Sequence, residues 1–561
     1  MSNPGPLIIQ SDNTLMLEVE HPAYEDSRDF LAAFAELVKS PEFIHTYRVT
    51  PLSLWNAAAV GMEIDEITTG LEDRAKYAVP TTVLASIAEW HGAYGKLILE
   101  RAEGQQNALT TGRLRLTVDD SVLLERIYLD KTLQRFWLER VGNALFVQAM
   151  ERGNLKQALI KAGYPVKDLC GYLKGAPLEI ELRDVDTDGN PFALRDYQKD
   201  ATEAFYHSGR VTGGSGVIVL PCGSGKTIIG IGAMARISNQ TLIVTTNNVS
   251  VHQWRDELIA KSHITAEQIG EFTGTMKTIR PITITTYQML THRSDKNAPM
   301  KNLEIFTEQE WGFIVYDEVH MLPAPVFRAT TAIQARRRLG LTATLVREDG
   351  KEDEVFALIG PKRYDVPWKV LEERGYIAEA YCTEYRVNMP RDIEEEYAYA
   401  PKRQKFRIAA ENPNKLTLVR QLIANHQDDQ ILVIGQYISQ IETIAKRLDL
   451  PLIMGKTKQA EREKLYDAFK RGEIQTLVVS KVANFAVDLP DANVMIQVSG
   501  TYGSRQEEAQ RLGRILRPKR KRSHFYTLVS QDTTEQEFGI NRQLFLVEQG
   551  YKYQIHYFEQ L

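Results

Sequence analysis

Three cysteines in 561 residues, Cys170, Cys222 and Cys382, lie too far apart for a disulfide framework, a cysteine-ligated zinc site or an iron–sulfur cluster. No apolar run approaches the ~18 residues of a membrane span, and the amino terminus has no basic region leading into an apolar segment. These absences predict a cytoplasmic protein with no membrane partner. A strong excess of charge is missing too. With 68 Lys and Arg against 73 Asp and Glu, the net charge is −5, which argues against a strongly basic domain but leaves room for local patches. What is present, 43% hydrophobic and 25% charged residues, is an ordinary globular composition. The length exceeds one hydrophobic core and predicts about three or four domains.

The chemistry is concentrated in two short motifs. Leu220-Pro221-Cys222-Gly223-Ser224-Gly225-Lys226-Thr227 lies between an apolar run, Gly216 to Leu220, and a helix-prone stretch, Ile228 to Arg236. That strand, loop and helix order is what a phosphate cradle requires. Gly223 and Gly225 let backbone N–H groups turn toward phosphates, Lys226 supplies a point charge to the β and γ phosphates, and Thr227 offers a hydroxyl to Mg²⁺. The second motif, Asp317-Glu318-Val319-His320, follows a run, Phe313 to Tyr316, that reads as a buried strand. It delivers carboxylates at the strand's carboxyl end, where open α/β sheets bind ligands. Asp317 suits the metal and Glu318 the attacking water, so the pair predicts an ATP site with Lys226, Asp317 and Glu318 as catalytic residues.

Far downstream, Gln510-Arg511-Leu512-Gly513-Arg514-Ile515-Leu516-Arg517 places Arg514 and Arg517 on one helix face, a spacing able to grip one polyphosphate. An arginine finger contributes about a thousandfold to a hundred-thousandfold in rate, roughly 4 to 7 kcal/mol. A basic solvated helix is the other reading of the same string. The candidate phosphate-contacting patches are Arg336-Arg337-Arg338, Lys362-Arg363, Lys402 to Arg407 and Arg517 to Arg522, each of which can equally be a solvated face.

The pattern divides the chain into four. Residues 1–113 read as a largely helical module, with Leu31, Phe34 and Leu37-Val38 at helical spacing, and residues 114–188 as a small α+β domain containing the strand Ala144 to Gln148. Residues 189–376 alternate strands and helices as a parallel sheet covered on both faces does, with strands at Gly216–Leu220, Thr241–Thr245, Pro281–Thr285, Phe313–Tyr316 and Leu339–Thr342. Residues 377–561 repeat that alternation, with strands at Gln430–Ile434, Thr476–Ser480, Val494–Val498 and His524–Val529.

With these motifs in order, the chain resembles superfamily 2 helicases and, within them, the XPB family. Leu194-Arg195-Asp196-Tyr197-Gln198 is similar to the adenine-reading segment, which implies that Gln198 meets the base. Thr245 to Glu257 and Thr285-Thr286-Tyr287-Gln288 resemble motifs Ia and Ib, implying nucleic-acid contacts at Thr246 and Thr286. Leu341-Thr342-Ala343-Thr344 is similar to motif III, and Asn484 to Pro490 to motif V, with Asp488 near the nucleotide. Arg347-Glu348-Asp349 matches the charged triplet that marks XPB proteins, while Ser480 to Phe485 and Gly500 to Glu508 are similar to the bacterial type.

The resemblance implies two RecA-like lobes closing over ATP and Mg²⁺, with Pro221, Cys222, Gly223, Ser224, Gly225, Asp488 and Gln510 lining the nucleotide. It implies His320, Thr342, Thr344, Arg347, Glu348 and Asp349 as nucleic-acid and coupling residues, DNA as the track, and 3′ to 5′ movement. It also implies a damage-recognition-like domain at 114–188, a short thumb-like insert at 391–414, and a nuclease or repair partner. An RNA-remodelling ATPase, a nuclease-linked motor and a duplex-DNA translocase or scaffold remain the alternatives; no nuclease carboxylate cluster is evident.

Overall fold

The computed structural model describes the chain apart from residues 1–4, 40–42, 103–111, 211–212, 222, 296–299, 334–335, 344–351, 481–491, 501–507, 509–510, 514, 517–521, 552 and 560–561. It forms two compact units. The first comprises residues 1–36, 47–220 and 225–365, the second residues 37–46, 221–224 and 366–561.

The first unit is organised on a seven-stranded parallel sheet in the order Ile269–Phe272, Ile282–Thr286, Thr241–Thr245, Phe313–Asp317, Arg337–Thr342, Ser215–Val219, Lys362–Asp365. Its central strands are continuous apolar and β-branched runs because helices cover both faces and no side of the strand meets water. Trp311, Phe306 and Tyr316 are among the large side chains of the core beneath it. The helix Asn248–Lys261 starts where the Asn247 side chain accepts a hydrogen bond from the Ser250 N–H at 3.0 Å, which satisfies one donor of its first turn.

Ahead of this sheet, Pro51–Val60 opens with a proline and a Thr50–Ser53 capping box, two features that fix a helix start. The helices Ile64–Arg74 and Thr81–Ala93 follow. A five-stranded sheet comes next, ordered Glu139–Val141, Ala144–Gln148, Arg113–Val118, Leu97–Arg101, Val166–Asp168. Leu97 and Leu99 alternate along one strand as Leu114, Leu116 and Val118 do along its neighbour, and all five enter one core. The expected division at residue 113 therefore passes through this sheet, because Leu97–Arg101 pairs antiparallel with Arg113–Val118. The helical reading of residues 1–113 also misses strands at Leu7–Ile9 and Thr14–Glu18, and Leu37 and Val38 belong to a strand, Glu36–Lys39.

The second unit holds another seven-stranded parallel sheet, ordered Leu452–Ile453, Thr476–Ser480, Ile431–Gly435, Val494–Gln497, Ser523–Ser530, Ala380–Val387, Tyr553–Phe558. The expected thumb-like stretch contains two short helices, Arg391–Tyr399 and Lys402–Ala410. The second buries Phe406, Ala409 and Ala410, with Phe406 edge-on to Phe538 at 5.3 Å. A buried ion pair anchors the next helix: Lys415 Nζ lies 2.7 Å from Glu535 Oε2 and donates to the Val498 carbonyl at 3.0 Å. Among the described residues no helix is long and apolar enough to cross a membrane.

Candidate active site

Strand Ser215–Val219 runs into the phosphate loop, and helix Lys226–Ile237 leaves it. Gly223 and Gly225 adopt φ of +81° and +80°, left-handed values that glycine reaches without steric cost. A Cβ on Gly225 would also stand 2.6 Å from Gln198 Nε2, so Gln198 and the loop are in close approach. Gln198 is buried and held by its own helix start, its Oε1 accepting from the Arg195 N–H at 2.9 Å. Ser224 Oγ donates to the Pro221 carbonyl at 2.7 Å, bracing the turn. Thr227 is the second residue of the helix, in the turn whose N–H groups have no partner within the helix.

Lys226 Nζ donates to the Leu220 carbonyl at 3.2 Å and lies 3.8 Å from Glu318 Oε1. The two motifs, about 90 residues apart in sequence, thus meet in one place. Glu318 has φ +50° and ψ +55°, a left-handed conformation that costs a non-glycine residue roughly 1–2 kcal/mol. The bend brings Oε2 to a buried position where it accepts no hydrogen bond among the described residues; His320 Nδ1 is 3.5 Å away. His320 Nδ1 also lies 2.7 Å from Thr342 Oγ1 at the end of the neighbouring strand, linking the acidic motif to the motif III segment.

Asp317 is buttressed more fully than its motif reveals. Its Oδ2 accepts from Trp254 Nε1 at 3.0 Å and from Thr245 Oγ1 at 3.3 Å, while the Tyr287 hydroxyl donates to its backbone carbonyl at 2.9 Å. The side-chain bonds to Asp317 among the described residues all go to Oδ2. Burial pushes the Asp317 carboxyl above the usual carboxylate range, and the Glu318 charge adds to the rise; the Trp254 hydrogen bond, Lys226 and Thr245 oppose it. A cation beside Asp317 would relieve both raising effects, so the donor set fits Mg²⁺.

Trp254 and Tyr287 stand in segments expected to face nucleic acid, yet both turn toward Asp317. Their sequence signal was an aromatic ring with one polar handle, which does not specify its partner. Thr246 Oγ1 accepts from Asn247 Nδ2 at 3.1 Å, and buried Thr286 caps a helix by accepting from the Met289 N–H at 3.0 Å. In the second unit, buried Arg511 donates to Gln497 Oε1, and Gln497 Nε2 donates to Glu508 Oε2 at 3.2 Å. Arg511 therefore ties the arginine-rich segment to its own sheet. Cys222, Thr344, Arg347, Glu348, Asp349, Asp488, Gln510, Arg514 and Arg517 lie outside the described residues.

Two expected basic patches are turned inward. Arg336 Nε donates to the Trp311 carbonyl at 2.7 Å, Arg337 stacks over Tyr172 at 5.0 Å, and Arg338 is 1% exposed. Arg363 Nε donates to the Ser215 carbonyl at 3.0 Å. A charge run at the start of a covered strand looks, in sequence, like a solvated one.

Three sequence profiles of known families match parts of the chain. The sequence profile of ERCC3/RAD25/XPB C-terminal helicases matches residues 371–559, that of the type III restriction enzyme res subunit residues 191–347, and one described as a helicase conserved C-terminal domain residues 7–142. The chain is 50% identical over 553 residues to the DNA 3′–5′ helicase XPB of Kineococcus radiotolerans, covering 98% of this chain and 96% of that one. Its identity to the DNA 3′–5′ helicase XPB of Mycobacterium tuberculosis is 48%, over 98% and 97% of the two chains. With the general transcription and DNA repair factor IIH helicase/translocase subunit XPB/SSL2 of Saccharomyces cerevisiae, identity is 33% over 98% of this chain and 71% of the yeast protein.

Proposed function

Because this chain belongs to the XPB family of DNA helicases, we propose that it is an ATP-dependent DNA 3′ to 5′ helicase or translocase acting in DNA repair. The observation that carries the catalytic assignment is Glu318 Oε2, buried and accepting no hydrogen bond among the described residues, on the residue whose other oxygen is 3.8 Å from Lys226. A buried acceptor with no donor is costly unless a ligand supplies one, and the attacking water is that donor.

Lys226 exchanges its bond to the Leu220 carbonyl for the β and γ phosphates of ATP, placing positive charge where the transition state gathers negative charge. Thr227 and Asp317 would hold Mg²⁺, which would supply neutralisation of the phosphate charge. Glu318 Oε2 accepts a hydrogen bond from the water and aligns it in line with the bond to the leaving ADP oxygen; that bond breaks as the water oxygen joins the γ phosphorus. Arg514 and Arg517 complete the charge stabilisation when the second sheet's domain closes on the first. The link from Glu318 through His320 to Thr342 passes the state of the nucleotide to the segment that follows, in which Thr344 and Asp349 are coupling residues and Arg347 and Glu348 separate the strands at the junction. Thr286 ends one strand, and Thr246 directly follows Thr245, the last residue of its paired neighbour; the two mark the edge along which the sugar–phosphate track runs.

The test is ATP turnover with single-stranded, forked and damaged duplex DNA, with RNA as the control. DNA is expected to raise the rate and RNA is not; stimulation by RNA alone would replace this reading with an RNA-remodelling one. The yeast relative's name joins helicase to translocase, so strand displacement and duplex translocation are assayed on the same preparation to decide which dominates. A nuclease or repair partner is to be sought by co-purification with the full chain.

A further inference from the structure

Ser215 and Arg338 are register partners at the amino-terminal end of the first sheet. The phosphate loop lies beyond the other end of the same strand, four residue steps or about 13 Å away. Here the strand starts, the helix Arg152–Lys161 and the segment 360–363 enclose a cavity of about 60 Å³. One water-sized group takes about 10–15 Å³ on this scale, so the space admits about four to six such groups, the size of a tetrahedral oxyanion and too small for a nucleoside. Gly360 lines it, and Gly216 follows the lining residue Ser215 in the chain. A Cβ on Gly216, at φ +151°, would meet the Pro361 carbonyl oxygen at 2.6 Å, and one on Gly360, at φ +124°, would meet the Ser215 carbonyl oxygen at 2.9 Å.

The lining is cationic: Arg152, Lys156, Arg338 and Arg363 face a single carboxylate among the described lining residues, Asp168. That carboxylate is fully engaged. Arg152 donates to it from Nε and Nη2, each at 2.9 Å, Lys156 Nζ is 3.1 Å away, and the Cys170 N–H donates at 3.1 Å. Arg363 is directed to the Ser215 carbonyl. Arg338 remains, with Nε and Nη1 buried and donating to nothing among the described residues, and the Ser215 Oγ beside it is also without a partner. Burial draws Arg338 down to about 10, and it draws Lys156 down to about 8, with the Arg338 and Arg152 cations adding to the fall. Buried charges are ordinarily paired, and a cation that finds no protein acceptor in a polar cavity calls for an anion.

We propose that this cavity is an anion site, separate from the nucleotide site, which takes a free tetrahedral oxyanion of the phosphate class on Arg338, Lys156 and the Ser215 hydroxyl. The ion joins the helix of the five-stranded sheet's domain to the base of the nucleotide-binding sheet and so stabilises the two as one body. It does not depend on the ATPase reading.

The experiment is thermal unfolding of the full chain carrying Lys226→Ala, which silences the phosphate loop, in inorganic phosphate and in chloride at equal ionic strength. Saturating phosphate is expected to raise Tm by about 2 °C or more, sulfate is expected to act likewise, and adding Arg338→Met is expected to abolish the rise. Lys156→Met, which leaves the guanidinium in place, serves if the methionine at 338 prevents folding, and is expected to reduce the phosphate response at least several-fold. No rise in the parent, or an equal rise in both added variants, overturns the proposal. A rise with glycerol phosphate or a 5′-phosphorylated oligonucleotide but not with the free ion overturns the assignment to inorganic oxyanion.

Discussion

Replacing Trp254 by phenylalanine removes one donor from Asp317, the carboxylate proposed to bind the metal, and little else. The indole Nε1 donates to Asp317 Oδ2 at 3.0 Å, and its six-membered ring lies against Gly230, where an added Cβ would stand 2.4 Å from it. Phenylalanine keeps an aromatic ring in that contact, so helix Asn248–Lys261 stays seated on the sheet. A hydrogen bond to a charged acceptor contributes about 1.5–3 kcal/mol, and losing a partner that orients a metal ligand weakens metal binding about 10- to 100-fold, which is about 1.4–2.8 kcal/mol. The two figures agree.

The same bond opposes the rise that burial imposes on the Asp317 carboxyl. Its loss raises that carboxyl further, so protons compete better with the cation and the defect grows as pH falls. ATP turnover is measured against Mg²⁺ concentration at two pH values, about 7.5 and about 6. Half-saturating Mg²⁺ is expected to rise about 10- to 100-fold, more at the lower pH, with turnover recovered at saturating Mg²⁺. A fall in turnover that Mg²⁺ does not rescue, at an unchanged half-saturating concentration, would refute the reasoning and place Trp254 elsewhere in the cycle.

Arg514→Ala is expected to leave ATP binding intact and to lower DNA-stimulated turnover by about a thousandfold or more; single-turnover hydrolysis beside nucleotide binding checks it, and undiminished turnover removes the arginine from the site. Asp168→Asn leaves Arg152 and Lys156 without their shared carboxylate, and is expected to destabilise the first unit by about 3–5 kcal/mol, read by urea unfolding. Arg152 and Lys156 hold the Asp168 carboxyl below its ordinary value against the opposing effect of burial. Its contribution is therefore present above about pH 4, the unfolded value, and is lost as pH falls below it; the variant's stability is expected to depend less on pH across that acid limb.

The parts of the fold that announced themselves are those whose burial is written into consecutive residues. Phe313 to Tyr316 and Thr241 to Thr245 have no polar face to hide, and they emerge as central strands. Lys362–Asp365 and Tyr553–Phe558 lie at sheet edges and mix charged or polar residues with apolar ones, so neither a continuous nor a clean alternating pattern betrayed them. Leu37 and Val38 continued a helical spacing from Leu31 and Phe34 by coincidence of register, and the chain turns to strand between them. The candidate nucleotide residues stood out because phosphate-binding chemistry uses short contiguous strings. Trp254, Tyr287 and Thr245 act on Asp317 from 63, 30 and 72 residues away, and only the sheet order brings them together. The arginines at 336–338 carried the opposite lesson: what covers a strand's first residues decides whether a charge run meets solvent, DNA or a cavity.

Hydrolysis at Glu318 is proposed to drive movement on DNA. The direct measurement is forked-DNA strand displacement by Glu318→Gln protein, recorded with its ATP binding and ATP turnover. The substitution keeps the shape of the side chain and removes its charge, so ATP should bind as before while turnover falls about 100- to 10,000-fold and displacement falls with it. Displacement at the parent rate despite that loss of hydrolysis, or parent turnover itself, would contradict the account.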